Sequence, residues 1–344
     1  MSEKLSKRER VESALAGEAV DRVPVSAWGH LIPAEKAAES FVEASLAFFR
    51  RYDWDWLKVN PRATYFAEAW GSVYDFEDYS GVFPRFVRDA AGALDFGELK
   101  PVGPSAKPWA EQLEALRGIK RGMGGAPLVQ TIFSPASVLA FLAGRTADRD
   151  QAAISRDQEA SLARLVRGSP DKAHHALSVI AESLAGLAAA SLEAGADGIY
   201  FAITRLARKG VLSPEEYGIF GKPYDLKVLE AARGATFNIL HSCGPEIHWG
   251  LIQDYPVRAL SWAAAGRGNP GLGEARESSS FAFIGGLDEE GALRHGGPPQ
   301  VREAARAALR LGGTGKFLLA PGCSVDPSVS EANLRALREA VEGD

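Results

Sequence analysis

A single (β/α)8 TIM barrel is the fold that the sequence predicts, on three observations. Eight short apolar runs are spread along the chain, and most are followed by a turn and a helix-patterned stretch. The length, 344 residues, is one that such a barrel uses as a single domain. Strand and helix signals that alternate imply parallel pairing, because parallel neighbours need a crossover and the crossover is usually a helix. One domain over residues 1–344 is therefore expected, with its working face at the C-terminal ends of the strands.

The first run, RVPVSAW (22–28), follows a charged, helix-patterned start that lacks the apolar core of a signal peptide. The second is WLKVN (56–60). Residues 61–126 are too many for a plain βα connection, and they hold the aromatic, turn-rich text AWGSVYDFEDYSGVFPRFV before a helix pattern near 108–118. They are expected to form an insertion after the second strand, shaping a lid or a partner surface over the barrel mouth. The third run, PLVQTIF (127–133), ends at Ser134, which reads as a helix cap because no histidine or acid pairs with it locally. GIYFAI (198–203) is fourth, and Ser213-Pro-Glu-Glu beyond it carries a cap, a first-turn proline and a capping glutamate. FNILHSC (237–243), ALSW (259–262), FAFIGGL (281–287) and KFLLAPG (316–322) complete the set, with Ser328 and Glu331 opening the final helix.

Hydrophobic content of 46% supports a large core, and a net charge of -5 gives no basic footprint for nucleic acid. No stretch approaches the roughly 18 uninterrupted apolar residues of a membrane span. A soluble, cytoplasmic protein is expected.

The two cysteines are the only ones in the chain, and each lies at the polar end of an apolar run. One buried cysteine is most often a small apolar filler. Here the two occur with a histidine, since His241 precedes Cys243 by two positions and so shares its strand face. Cys323 has the same strand-end context. Two thiols and an imidazole are soft donors that suit zinc, and three protein ligands leave one position open for substrate. Separate strand ends do not make a secreted disulfide framework.

With DRVP at 21–24, DWDWLKVNPR and EAWG after it, HSCG at 241–244, SWAAAGRGNPGLGEAR at 261–276, FIGGLD at 283–288 and APGCSVDPSVSEANLRAL at 320–337, the chain resembles the uroporphyrinogen decarboxylase superfamily. Its His-x-Cys and distant Cys are similar to the zinc motif of the cobalamin-dependent methyltransferases in that superfamily. The resemblance implies zinc on His241, Cys243 and Cys323, and a methyl group moved between methylcobalamin and a zinc-activated thiol. It implies a separate corrinoid protein as partner, a small thiol or methyl donor as substrate, and a homodimer. Asn60, Arg62, Trp262 and Asn269 are expected at the cofactor-facing rim, with His30 near substrate. The fourth metal ligand stays open among Glu246, His248 and Asn269.

The chain departs from the true decarboxylase in three places. No arginine lies between Arg22 and Arg50, the second strand ends in Asn60 instead of an acid, and Cys323 stands where that enzyme typically has a histidine. A decarboxylase acting on a tetrapyrrole remains the alternative and would need Arg62, Arg205 or Arg267 as its carboxylate clamp. A non-catalytic corrinoid or tetrapyrrole binder is the third reading.

Overall fold

Strands and helices alternate along the chain in a computed structural model that describes residues 4–89, 94–144 and 150–342. Seven strands form one parallel sheet in the order β1 (Leu57–Val59), β4 (Leu128–Phe133), β5 (Gly198–Ile203), β6 (Ile239–Ser242), β7 (Ala259–Trp262), β8 (Ala282–Leu287), β9 (Phe317–Pro321). Between β1 and β4 the chain adds an antiparallel hairpin, β2 (Ser72–Ser80) with β3 (Phe83–Asp89), and the helix Lys107–Gly122. The tip of the hairpin, Gly81 to Phe83, reaches the cavity described below.

Both faces of the sheet are buried, which is why its strands read as continuous apolar runs. Ile199, Phe201, Leu240, Leu260 and Phe283 face outward into the core shared with the helices. Their strand neighbours Tyr200, Ala202, Ile239, Ala259 and Ala282 face inward, with Trp28, Trp56 and Phe237. Val11 and Ala14 join this inner cluster from the helix Lys7–Ala16, whose Ala14 carbonyl accepts the Lys316 N–H just before β9 at 2.8 Å. That helix closes the N-terminal end of the sheet.

The run 22–28 departs from expectation because it forms no strand. Val25 makes only an isolated parallel bridge to Leu319 of β9. Pro24 has no N–H to extend a ladder, although its carbonyl accepts the Leu319 N–H at 2.9 Å. A buried carboxylate takes over on the β1 side. Asp55 accepts the Val25 N–H at 2.8 Å and pairs with Arg10 at 2.8 Å and Arg22 at 2.6 Å. Ser26 Oγ adds a bond to the Trp56 carbonyl at 2.7 Å.

Local chemistry agrees with the sequence at most helix starts. Ser134 caps the helix Pro135–Ala143, and Ser213 with Glu216 forms a capping box on Pro214–Phe220. The last helix, Glu331–Glu339, is capped by Ser330 and not by Ser328, which turns back on Asp326. The helix Pro170–Glu193 is long and apolar enough to cross a membrane, and Leu177, Ile180, Leu184 and Leu187 on it are buried in the core.

One buried acid makes the fold sensitive to pH. Tyr217 and Tyr255 both donate to Asp225 Oδ2, at 2.9 and 2.7 Å, while Oδ1 has no partner. Burial pushes this carboxyl up to about 7. A folded pKa above the unfolded one gives stability that is complete below about pH 4 and is lost as pH rises through 7. Urea unfolding is predicted to show a contribution from Asp225 that falls by roughly 2 to 3 kcal/mol between pH 5 and pH 8. Asp225→Asn should remove that part of the slope; an unchanged slope would contradict it.

Candidate functional site

β6 and β9 are not neighbours, since β7 and β8 lie between them. On a flat sheet, three spacings of about 4.8 Å would hold their ends roughly 14 Å apart. Cys243 Sγ and Cys323 Sγ are 3.8 Å apart, and Cys323 Sγ is 3.6 Å from His241 Nε2. The sheet must curl for these atoms to meet. They lie at the C-terminal ends of their strands, on the wall of a cavity of about 460 Å³ that Trp28, Lys58, Asn60, Tyr200 and Glu289 also line.

Each donor is set by its strand. His241 shares the inward face of β6 with Ile239, and register places it beside Ser261 of β7. Its Nδ1 is 3.2 Å from Ser261 Oγ, which lies 3.1 Å from the Tyr200 hydroxyl. With the Nδ1–H donated to Ser261, the Nε2 lone pair is free on the cysteine side. Cys243 continues the ladder one residue past β6, its N–H donating to the Ile203 carbonyl at 3.0 Å, and Gly244 at φ 98° then turns the chain. Before Cys323, a Cβ on Gly322 would come within 2.6 Å of the Ala263 Cα. Only glycine lets the end of β9 pass so close to β7.

Asn269 ties these loops together. Its Nδ2 donates to the Gly244 carbonyl at 3.0 Å and the Ala263 carbonyl at 2.9 Å, and its Oδ1 accepts the Ile247 N–H at 3.0 Å.

The cysteines share a proton unequally. A hydrogen bond from Cys323 holds the Cys243 thiol below the ordinary range, and the same contact, with burial, holds Cys323 well above it. Burial pushes the Lys58 ammonium down to about 7 and the Glu289 carboxyl upward. The ligand atoms of His241, Cys243 and Cys323 all lie within 4.8 Å of one another. Zinc bonds of about 2.3 Å to sulfur and about 2.0 Å to nitrogen give tetrahedral edges of about 3.8 Å between sulfurs and about 3.6 Å from sulfur to nitrogen. The donor set suits zinc in its chemistry, and two of its spacings, Cys243 to Cys323 and Cys323 to His241, match these edges.

The family model described as uroporphyrinogen decarboxylase (URO-D) matches residues 6–343. The chain belongs to this family. No curated protein matches its sequence. Among solved structures it is similar in fold to a methyltransferase from Methanosarcina mazei, at a TM-score of 0.81 and 21% identity, with 98% of this chain and 99% of that one covered. A B12-independent methionine synthase from Shewanella sp. W3-18-1 shares the fold at a TM-score of 0.56 and 15% identity, over 93% of this chain and 96% of that one.

Other candidate residues of this URO-D family member fall in different places. Asn60 and Arg62 line the cavity, as does His30, whose Nδ1 is 3.0 Å from Glu35. Arg62 is already engaged by Glu68, at 2.8 and 2.7 Å. Trp262 faces the helical layer, donating to the Pro270 carbonyl at 2.8 Å and packing on Phe283. Glu246 turns to Arg267 at 3.1 Å, and His248 bonds the Leu212 carbonyl at 2.9 Å, so neither joins the cysteines. Lys58, Ser261 and Glu289 were not singled out from the sequence. Only Lys58 carried a signal there, a charge inside an apolar run.

Replacing Asn269 by alanine removes three hydrogen bonds from part-buried backbone groups. Asn269→Ala is predicted to lower the unfolding free energy by roughly 2 to 4 kcal/mol. Urea unfolding checks this, and a loss below about 0.5 kcal/mol would contradict the role as a loop tie.

Proposed function

We propose that this URO-D family member is a zinc-dependent methyltransferase that moves a methyl group between a corrinoid and a thiol. The carrying observation is the trio of His241, Cys243 and Cys323, with donor spacings of 3.6 and 3.8 Å and an imidazole oriented by Ser261. Bound there, zinc would supply a Lewis acid that keeps a substrate thiol ionised near neutral pH. The protein's own groups do the rest. Ser261 and Tyr200 fix the imidazole so that Nε2 faces the metal side. Trp28 and Tyr200 wall the inner cavity and keep bulk water from the nucleophile.

The corrinoid, methylcobalamin or its demethylated form, would reach the mouth from a separate protein, with the hairpin tip at Gly81 to Phe83 as cover. The same reading takes residues 22–28 as the eighth member of a closed barrel, joined to β9 by the Val25 bridge. Two fold neighbours are named as a methyltransferase and a B12-independent methionine synthase, in keeping with methyl transfer to a thiol though not with a corrinoid in particular.

Tetrapyrrole decarboxylation is disfavoured by the same side chains that it would need. Arg62 is paired with Glu68 at 2.7 Å, Arg205 with Glu159 at 2.8 Å and Arg267 with Glu246 at 3.1 Å. None is left to clamp a substrate carboxylate.

The test is thiol-dependent demethylation of methylcobalamin by zinc-loaded protein, followed by its visible spectrum. Wild type is expected to turn over, and Cys323→Ala to lose both zinc and activity. Ser261→Ala should keep the fold and weaken zinc binding by about 10- to 100-fold in a chelator competition. Porphyrin products from uroporphyrinogen without methyl transfer, or tight corrinoid binding without turnover, would overturn the proposal.

A further inference from the structure

A second pair of ionisable groups faces the cavity and has no part in holding a metal. His30 lines the cavity, and its Nδ1 lies 3.0 Å from Glu35 Oε2. The Glu35 side chain is fully enclosed, at 0% exposure, while the imidazole keeps 10%. Gly29 bridges to Val325, two residues past Cys323, so His30 stands on the rim beside the loop that follows β9. With Nδ1–H donated to the carboxylate, the Nε2 lone pair has no partner among the described residues and is left to the cavity.

Charge separates this pair from an ordinary structural hydrogen bond. A buried carboxylate is costly unless a cation answers it. The cations near Glu35 are engaged elsewhere. Arg62 is held by Glu68 at 2.7 Å and gives one N–H to the Glu35 backbone carbonyl at 3.2 Å, and Lys36 pairs with Glu77 at 2.7 Å. Glu35 Oε1 has no hydrogen-bond partner. The Tyr79 hydroxyl, from the hairpin, has none either; burial and the Glu35 charge hold it above its usual range, so it stays neutral. The dyad of His30 and Glu35 is therefore one proton short of neutrality, and Nε2 is where that proton would bind.

The other carboxylates lining the cavity are taken. Glu159 holds Arg205 and Arg208 at 2.8 and 2.7 Å, and Glu290 and Asp326 hold Arg294 at 2.8 and 3.2 Å. Glu289 is turned to the Gly322 N–H at 3.1 Å. Lys58, as an ammonium that donates to Asn60, has no lone pair to offer.

We infer that His30, oriented by Glu35, is the acid–base residue of the cavity and takes the proton of the thiol that enters it. The inference rests on the methyltransferase reading, which supplies the thiol. The S–H bond breaks, its electron pair stays on sulfur, and the proton bonds to His30 Nε2, directly or through one water. Thiolate and imidazolium arise together, so the enclosed cavity gains no net charge. Glu35 is a positioning residue, which fixes the tautomer and stabilises the imidazolium.

The experiment is titration of neutral 2-mercaptoethanol into zinc-loaded protein at pH 8, read in two ways. Calorimetry in two buffers of different ionisation heat counts the protons released. Ring 15N NMR, with the His30 signals identified by their loss in His30→Gln, shows where a proton is kept. Wild type is expected to release fewer than about 0.3 protons per thiol bound, as the His30 ring passes from the neutral form to the imidazolium. His30→Gln and Glu35→Gln should each release about one, with zinc content unchanged, whereas Lys58→Met should behave as wild type. Release of about one proton by wild type, or retention that survives in His30→Gln, would overturn the inference and leave thiol activation by zinc intact. No thiol binding by any of these proteins would instead overturn the methyltransferase reading, and the role of His30 with it.

Discussion

Everything at the cluster of His241, Cys243 and Cys323 depends on how tightly the parallel sheet curls, because the strands that lead to its sulfurs share no backbone hydrogen bond. Their separation of 3.8 Å exists only if β7 and β8 bend around the space between β6 and β9. Side-chain size inside the sheet enforces that bend. Ala259, Ala282 and Ala320 on β7, β8 and β9 share the inner cluster with Trp28, Trp56, Tyr200 and Phe237. The rings pack at centroid distances of 5.2 to 5.5 Å, so the large groups fill the space that the alanines leave. Asp55 ties residues 22–28 to the β1 side, accepting the Val25 N–H and pairing with Arg10 and Arg22.

Polar groups inside such a core are costly unless paired, and here their pairing follows a path from fold to chemistry. Tyr200 meets Ser261, Ser261 meets His241, and His241 meets Cys323. Tyr200, His241 and Ser261 lie on inward positions of β5, β6 and β7 and Cys323 follows the end of β9, so a one-residue slip in any of these registers would break the path. Lys58 and Asn60 sit beside it on β1 and just past its end, with part of their bonding capacity unused. The paired groups hold His241 and Cys323 in place, and the unpaired ones face the cavity.

Much of this was legible in the sequence because buried parallel strands are written as apolar runs. The last seven runs became strands close to where they were read, and His241 with Cys243 was legible as one face from a spacing of two. The first run failed where a proline met a sheet edge, and ladder bonds there depend on partners far away in sequence. The same burial that makes strands easy to find hides which way their side chains point. Nothing in ALSW distinguishes outward Trp262 from inward Ser261, so the tryptophan looked like a rim residue and the serine went unnoticed. Lys58 did announce itself as a charge in an apolar run, but its lack of a counter-ion is a property of three-dimensional neighbours.

The most direct test is X-ray absorption at the zinc edge of the zinc-loaded protein, before and after addition of a thiol. Two sulfurs at about 2.3 Å and one nitrogen at about 2.0 Å are expected, with a third sulfur appearing when thiol is added. A shell of nitrogen and oxygen alone, or a sulfur count that thiol does not change, would contradict a centre built on Cys243 and Cys323 to activate a thiol.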